Sequence, residues 1–163
     1  MSFSYQDIQA FIFREARLLD DRQWDDWLTC YSEDVVYWMP AWDDNDELTE
    51  DPQSEISLIY YPNRNGLEDR VHRIKTERSG ASSLPEPRTT HITSNLEILS
   101  QDGDTMEIRF NWHTLNQRYN ETSSFFGTSF YTLDVSGEQP LITYKKMVLN
   151  NDYINQVMDI YHL

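Results

Sequence analysis

The sequence predicts an α+β fold in which a long, mainly antiparallel sheet curves around N-terminal helices as a cone-shaped half barrel. Three observations carry this. Apolar residues recur at helical spacing near the N-terminus and again between residues 64 and 77. After Arg88 the period drops to two and stays there, and turn residues punctuate that half where hairpins need them. A chain of 163 residues with no Pro/Gly/Ser-rich divide suits a single domain over residues 1–163.

Ser4 precedes the series Ile8, Phe11, Ile12, Ala16 and Leu19, with Asp7 placed to complete a capping box, so a helix is expected over residues 5 to 19. Asp20 or Asp21 can cap a second helix, tightly joined and antiparallel to the first, with Trp24, Trp27, Leu28 and Tyr31 on one face. The segment Ile56 to Tyr61 reads as a short strand, and Pro62 can end it. Leu67, Val71 and Ile74 then mark a third helix from Arg64 to Glu77. In the C-terminal half, Met106, Ile108, Phe110 and Trp112 alternate with Glu107, Arg109 and Asn111; Phe126, Thr128 and Phe130 alternate with Gly127, Ser129 and Tyr131. Turns at 101–104, 119–121 and 136–138 separate four long strands.

Aromatic residues make up 13% of the chain, with five Trp, ten Tyr and seven Phe, which supplies a packed interior and excludes global disorder. The net charge of −15 disfavours nucleic acid and anionic membranes as partners. Charge is also uneven: Asp20 to Asp51 holds twelve carboxylates and one basic residue, whereas Arg64 to Arg88 holds six basic residues and four acidic. Either a solvated acidic face or distinct assembly surfaces would produce that pattern. The start MSFSYQDIQAF lacks a leader pattern, no window approaches the about 20 apolar residues of a membrane span, and Cys30 alone permits no internal disulfide. A cytoplasmic protein is expected.

Candidate chemistry is sparse. A Rieske cluster requires two Cys and two His, so one cysteine rules it out in this chain. His72, His91, His113 and His162 show no metal-ligand spacing, and the isolated glycines 66, 80, 103, 127 and 137 make no phosphate cradle. No GxSxG elbow occurs, and Cys30 reads as a buried, inert thiol. One acid–base arrangement is open: Asp34 with His91 or His113 in the pocket of the cone, against ordinary capping and salt-bridge duty for the same residues. The run Trp38 to Trp42 reads equally as core or as a subunit contact. The ending NDYINQVMDIYHL, closing on Tyr161 and Leu163, reads as an ordered tail docked on its own domain or on a neighbour.

The blocks REARLLDDRQWDDWLTCYSEDVVYWMPAWDD (14–44), EISLIYYPNRNGLEDRVHRIKTERS (55–79), PEPRTTHITSN (85–95) and the ending itself resemble the small, or β, subunit of aromatic ring-hydroxylating dioxygenases. IYYPNR and GLEDRV are most similar to β subunits of benzoate, toluate and anthranilate 1,2-dioxygenases. The resemblance implies a fold like nuclear transport factor 2 and an assembly of three α and three β subunits. It implies that α carries the Rieske two-iron two-sulfur cluster and the mononuclear iron, that a reductase brings electrons from NADH, and that an aromatic acid is cis-dihydroxylated. It supplies no catalytic, cofactor-binding or metal residue for this chain, whose implied role is structural. Arg64, Arg70, Arg73 and Arg88, with Trp38, Trp42, Tyr161 and Leu163, are the candidates for subunit interfaces. Two other functions stay open on the residues alone: a stand-alone isomerase or dehydratase using Asp34 and a strand histidine, and a small-molecule adaptor using the same pocket.

Overall fold

The computed structural model describes residues 2–78, 85–154 and 156–163. Helix α1 spans Tyr5–Asp20 and opens on the expected capping box: Ser4 Oγ accepts from Asp7 N, and Asp7 accepts from the Ser4 backbone. Its buried face is Ile8, Phe11, Ile12, Glu15, Ala16, Leu18 and Leu19. Helix α2, Trp24–Leu28, is only five residues long, and Gln23 at its N-cap makes no side-chain cap bond. The expected Asp20 or Asp21 cap is therefore corrected. Asp21 caps the C-terminus of α1, Asp20 turns its carboxylate toward the sheet, and Arg22 at φ 56° makes the bend between the helices. Tyr31, expected on the last turn of that helix, instead begins strand β1, Tyr31–Pro40.

Strand β2 covers Ser57–Tyr61 and helix α3 covers Arg64–Arg78, each within a residue of expectation. Four long strands follow: β3 Arg88–Asp102, β4 Thr105–Arg118, β5 Glu121–Asp134 and β6 Leu141–Leu149. They form a six-stranded sheet in the order β2-β1-β6-β5-β4-β3. All neighbours are antiparallel except β1 and β6. The β4–β5 hairpin keeps unbroken register from Thr105–Asp134 to Arg118–Glu121. Its two-residue turn, Tyr119–Asn120, has φ of 53° and 64°, the primed geometry that matches strand twist. Irregularities in β3 between Ser94 and Glu97, with Asn95 at φ 57°, bend the sheet toward α1. There Tyr5 donates to Leu96 O at 2.8 Å.

The inner face of β4 is Met106, Ile108, Phe110, Trp112, Thr114 and Asn116, all buried. On β5 the inward set is Phe125, Gly127, Ser129, Tyr131 and Leu133. Phe126 and Phe130 stand on the opposite face, and Phe126 is 46% exposed. Alternation with bulky residues on both sides left that choice open; strand register decides it. Phe130 joins a cross-strand row Trp38–Lys146–Phe130–Arg109–Glu97 on the outer face. Lys146 Nζ lies 5.1 Å from the Trp38 ring centroid, and Arg109 Cζ 5.1 Å from that of Phe130.

Gly127 is required where β5 meets β6, because an added Cβ would lie 1.7 Å from Val148 O. Gly127→Ala must push the two strands apart, so its destabilisation in urea titrations is expected to reach or exceed the about 1–3 kcal/mol of ordinary overpacking.

Candidate functional site

The acid–base pair built on Asp34 does not form. Asp34 is exposed and accepts from Ser32 Oγ at 2.8 Å. His113 lies on the outer face with Nε2 2.5 Å from Ser124 Oγ, and His72 is exposed on α3. His91 does meet a carboxylate, that of Asp20: Nδ1 lies 2.5 Å from Oδ1, and the His91 backbone N–H donates to Oδ2 at 2.9 Å. Burial raises the Asp20 carboxyl, but the His91 ring, its backbone N–H and the Thr89 hydroxyl outweigh that and hold it below the usual carboxylate range. Cys30 is buried, and burial pushes its thiol up to about 12. Among the described residues, no group of three or more His, Cys, Asp or Glu could hold a metal ion. With a single cysteine, the donor set does not fit a Rieske cluster.

A buried ion pair occupies the middle of the cone. Glu15 Oε1 accepts from Tyr31 OH at 2.6 Å, Tyr131 OH at 2.9 Å and Lys145 Nζ at 2.9 Å. Lys145, 1% exposed, also donates to Tyr31 OH at 3.1 Å. Its ammonium faces the rings of Tyr31, Tyr37 and Tyr131 at 5.8, 5.1 and 5.2 Å. Strand register places Tyr37, Lys145 and Tyr131 side by side on β1, β6 and β5. Burial first, and the Glu15 charge second, push all three tyrosine hydroxyls well above their ordinary range, so they remain neutral, and those of Tyr31 and Tyr131 donate to Glu15. The sequence signals were a Glu within the apolar stripe of α1 and a Lys at an inward position of β6.

Little room remains for a substrate. The half-open pocket lined by Trp24, Thr89, Arg118 and Tyr161 measures about 60 Å³, well below the about 150 Å³ of a cavity that admits benzene. The larger hollows are open surface grooves, such as the one bordered by Arg22, Pro85, Glu86 and Arg88. Trp24 and Phe110 are buried and take up interior space. Among the described residues the cone offers neither the open space nor the Asp34–histidine pair that the isomerase or dehydratase reading needs.

Comparison with known proteins decides between the remaining readings. Residues 14–156 match the family model described as ring hydroxylating beta subunit. The chain is 60% identical over 163 residues, the full length of both, to the toluate 1,2-dioxygenase subunit beta of Pseudomonas putida. It is 60% identical to the benzoate 1,2-dioxygenase subunit beta of Acinetobacter baylyi, covering 99% of this chain and 95% of that one. The crystal structure of a benzoate 1,2-dioxygenase beta subunit from Burkholderia mallei superimposes with a TM-score of 0.87 at 55% identity, over 100% of this chain and 99% of that one. The chain belongs to the ring-hydroxylating dioxygenase β-subunit family. As a β subunit it is the non-catalytic component of an oxidoreductase, on a cone fold like that of nuclear transport factor 2.

Most of the β subunit's expected interface residues make contacts within the chain. Trp38 is buried and donates to Ser57 Oγ at 2.9 Å. Arg64 reaches Tyr31 O at 3.0 Å and Glu68 at 2.9 Å. Arg70 forks onto Asp159, with Nε 2.8 and 2.9 Å from its two oxygens. Tyr161 stands 6.4 Å from the Trp24 ring, and Leu163 is buried. Trp42 is 42% exposed, although its indole donates to Leu149 O at 2.6 Å, and Arg73 and Arg88 are exposed. The described part of the tail, which omits Asn155, docks on its own domain: Ile160, His162 and Leu163 are buried and Asp159 caps the closing 3-10 turn Ile160–His162. Sequence reasoning missed an outward-facing row, Ile92–His113–Phe126, in register across β3, β4 and β5 with apolar, half-exposed ends.

His162 Nδ1 accepts from Asp159 N at 2.9 Å, and burial pushes the ring down to about 4. Below its ordinary value near 6.5 the unfolded chain takes up a proton that the folded chain declines, so stability falls as pH drops from about 6.5 to about 4. Urea midpoints at pH 6.5, 5.5 and 4.5 are expected to register this loss, at most about 1.4 kcal/mol per pH unit. His162→Gln is expected to flatten the slope by one proton's worth.

Proposed function

We propose that this β subunit is the structural subunit of a dioxygenase that cis-dihydroxylates benzoate or a ring-substituted benzoate, and that three copies hold three α subunits in register in the cytoplasm. Supporting the substrate class is the 60% identity, over essentially whole chains, to subunits named for toluate and benzoate dioxygenases. Supporting the structural role is the interior itself, where the Glu15–Lys145 cluster occupies the space a catalytic cone would keep open. Iron and the Rieske cluster belong to α, whose electrons come from NADH through a reductase. Among the described residues no helix is long and apolar enough to cross a membrane.

The partner-facing groups in this reading are Trp42, Arg73, Arg88 and the Ile92–His113–Phe126 row. Trp and Arg suit interface cores, and exposed apolar residues aligned across three strands form a continuous patch rather than scattered singles. Charge segregation adds to this, since the acidic stretch and the Arg-bearing α3 and β3 offer opposite signs to neighbours.

Reconstitution tests the proposal. The purified chain is expected to bind no stoichiometric iron and, with reductase, NADH and benzoate, to form no diol; adding the cognate α subunit is expected to restore turnover and give a hexamer by native mass spectrometry. Turnover of benzoate without α would refute it. Phe126→Glu with Arg88→Glu is expected to leave the melting curve of the chain intact while weakening hexamer assembly by at least about tenfold, the equivalent of 1.4 kcal/mol.

A further inference from the structure

We propose that Tyr31 is a redox-active tyrosine: a strong one-electron oxidant, of the hydroxyl-radical class that stray oxygen chemistry produces, draws an electron from it while its phenolic proton passes to Glu15. The proposal rests on the reading of the chain as an oxygenase subunit. It gives the filled interior a second duty, as a relay that carries oxidising equivalents out to the surface.

Packing does not call for the hydroxyl. A phenylalanine at position 31 would fill the same space, whereas a buried hydroxyl costs stability unless it is bonded. Tyr31 OH donates to Glu15 Oε1 at 2.6 Å and accepts from Lys145 Nζ at 3.1 Å. One neighbour is thus a base for the proton, and the other is a donor that stays after the proton has gone. In the oxidation the phenolic O–H bond breaks, the proton forms the O–H of the Glu15 carboxyl, and the electron goes to the oxidant. The phenoxyl oxygen left on Tyr31 keeps its bond from Lys145. Tyr131 OH also donates to Glu15, but through a longer bond of 2.9 Å, and it is the Tyr31 oxygen that Lys145 reaches.

Lys145 also decides the form of the oxidised ring. Its ammonium stands 5.8, 5.1 and 5.2 Å from the centroids of Tyr31, Tyr37 and Tyr131, and a positive charge so placed opposes a ring that has lost an electron and kept its proton. Electron loss is therefore tied to proton loss, which requires a base already in place. Oxidation leaves the cluster one positive charge richer. The oxidised state is accordingly a strong oxidant itself, and it passes its demand on rather than storing it.

The aromatic contacts supply the route. Trp27, Tyr31, Tyr37 and Tyr61 form a line of oxidisable rings with successive centroids 4.8, 6.0 and 6.0 Å apart. The first three are 0% exposed, whereas Tyr61 is half-buried on β2, an edge strand of the sheet. A small reductant such as a thiol or ascorbate meets the line at Tyr61 and returns the electron, after which Glu15 gives the proton back.

Laser flash-quench of the full-length chain tests this, with photogenerated tris(bipyridine)ruthenium(III) as the oxidant and with EPR and transient absorption as the readouts. The expected result is a tyrosyl radical that forms more slowly in D2O than in H2O, is lost in Tyr31→Phe and is retained in Tyr119→Phe, which removes an exposed ring at the β4–β5 turn. Tyr61→Phe leaves the Glu15 and Lys145 hydrogen bonds in place and is expected to slow the decay of the radical in ascorbate. A radical of full amplitude in Tyr31→Phe, or a decay in ascorbate that Tyr61→Phe leaves unchanged, would overturn the proposal. Neither outcome would alter the assignment as a dioxygenase subunit, because the measurement is made without α.

Discussion

A carboxylate and an ammonium enter a protein interior only as a pair, and the pairing of Glu15 with Lys145 is the constraint around which this cone is built. Residues 130 apart in sequence meet at 2.9 Å, joining the first helix to the sixth strand. Two tyrosine hydroxyls share the same carboxylate oxygen, and three tyrosine rings surround the ammonium. Removing either charge would strand the other in a medium of low dielectric, a loss of about 3–5 kcal/mol in comparable pairs. Arranged this way, the cluster fixes where α1 lies in the sheet and fills the space where a cone could otherwise hold a substrate.

The two faces of the sheet divide the work between neighbouring rows. Tyr37, Lys145 and Tyr131 point inward and close the interior; Trp38, Lys146 and Phe130, one residue along each strand, point outward and form the cation–aromatic ladder. A one-residue slip of β6 would bring Tyr144 or Lys146 to the inward position of Lys145 and displace buried Met147, so register is specified by the inward set as a whole. A solid core and a patterned exterior are what a subunit needs if its purpose is to present surfaces to α and to its own copies. Family membership and the filled cone therefore agree in physical terms.

Much of this architecture was legible because its signals are local. The Ser4–Asp7 capping box, the heptad-like spacing of α3 and the turn residues between the long strands each act within a few positions of themselves. What could not be read depends on residues far apart. Which of Phe125 or Phe126 faces inward is set by register against β4 and β6, since both sides of β5 carry bulky groups. Asp20 looked like a helix cap and became the partner of His91, 71 residues on, while Asp34, which looked available for chemistry, bonds only its neighbour Ser32. Tyr31 fell at a helical position after Trp24, Trp27 and Leu28, yet the aromatic cluster at Lys145 draws it into β1. In the candidate site the absence of a Rieske ligand set could be read from one cysteine, whereas the Glu15–Lys145 cluster that fills the interior required the fold.

A double-mutant cycle on Glu15 and Lys145, followed by urea denaturation, tests this account most directly. Glu15→Met and Lys145→Met are each expected to destabilise the chain by about 3–5 kcal/mol, and the double variant by much less than their sum, since no charge is then left unpaired. Additive losses, with no coupling between the two positions, would show that the ion pair does not organise the cone.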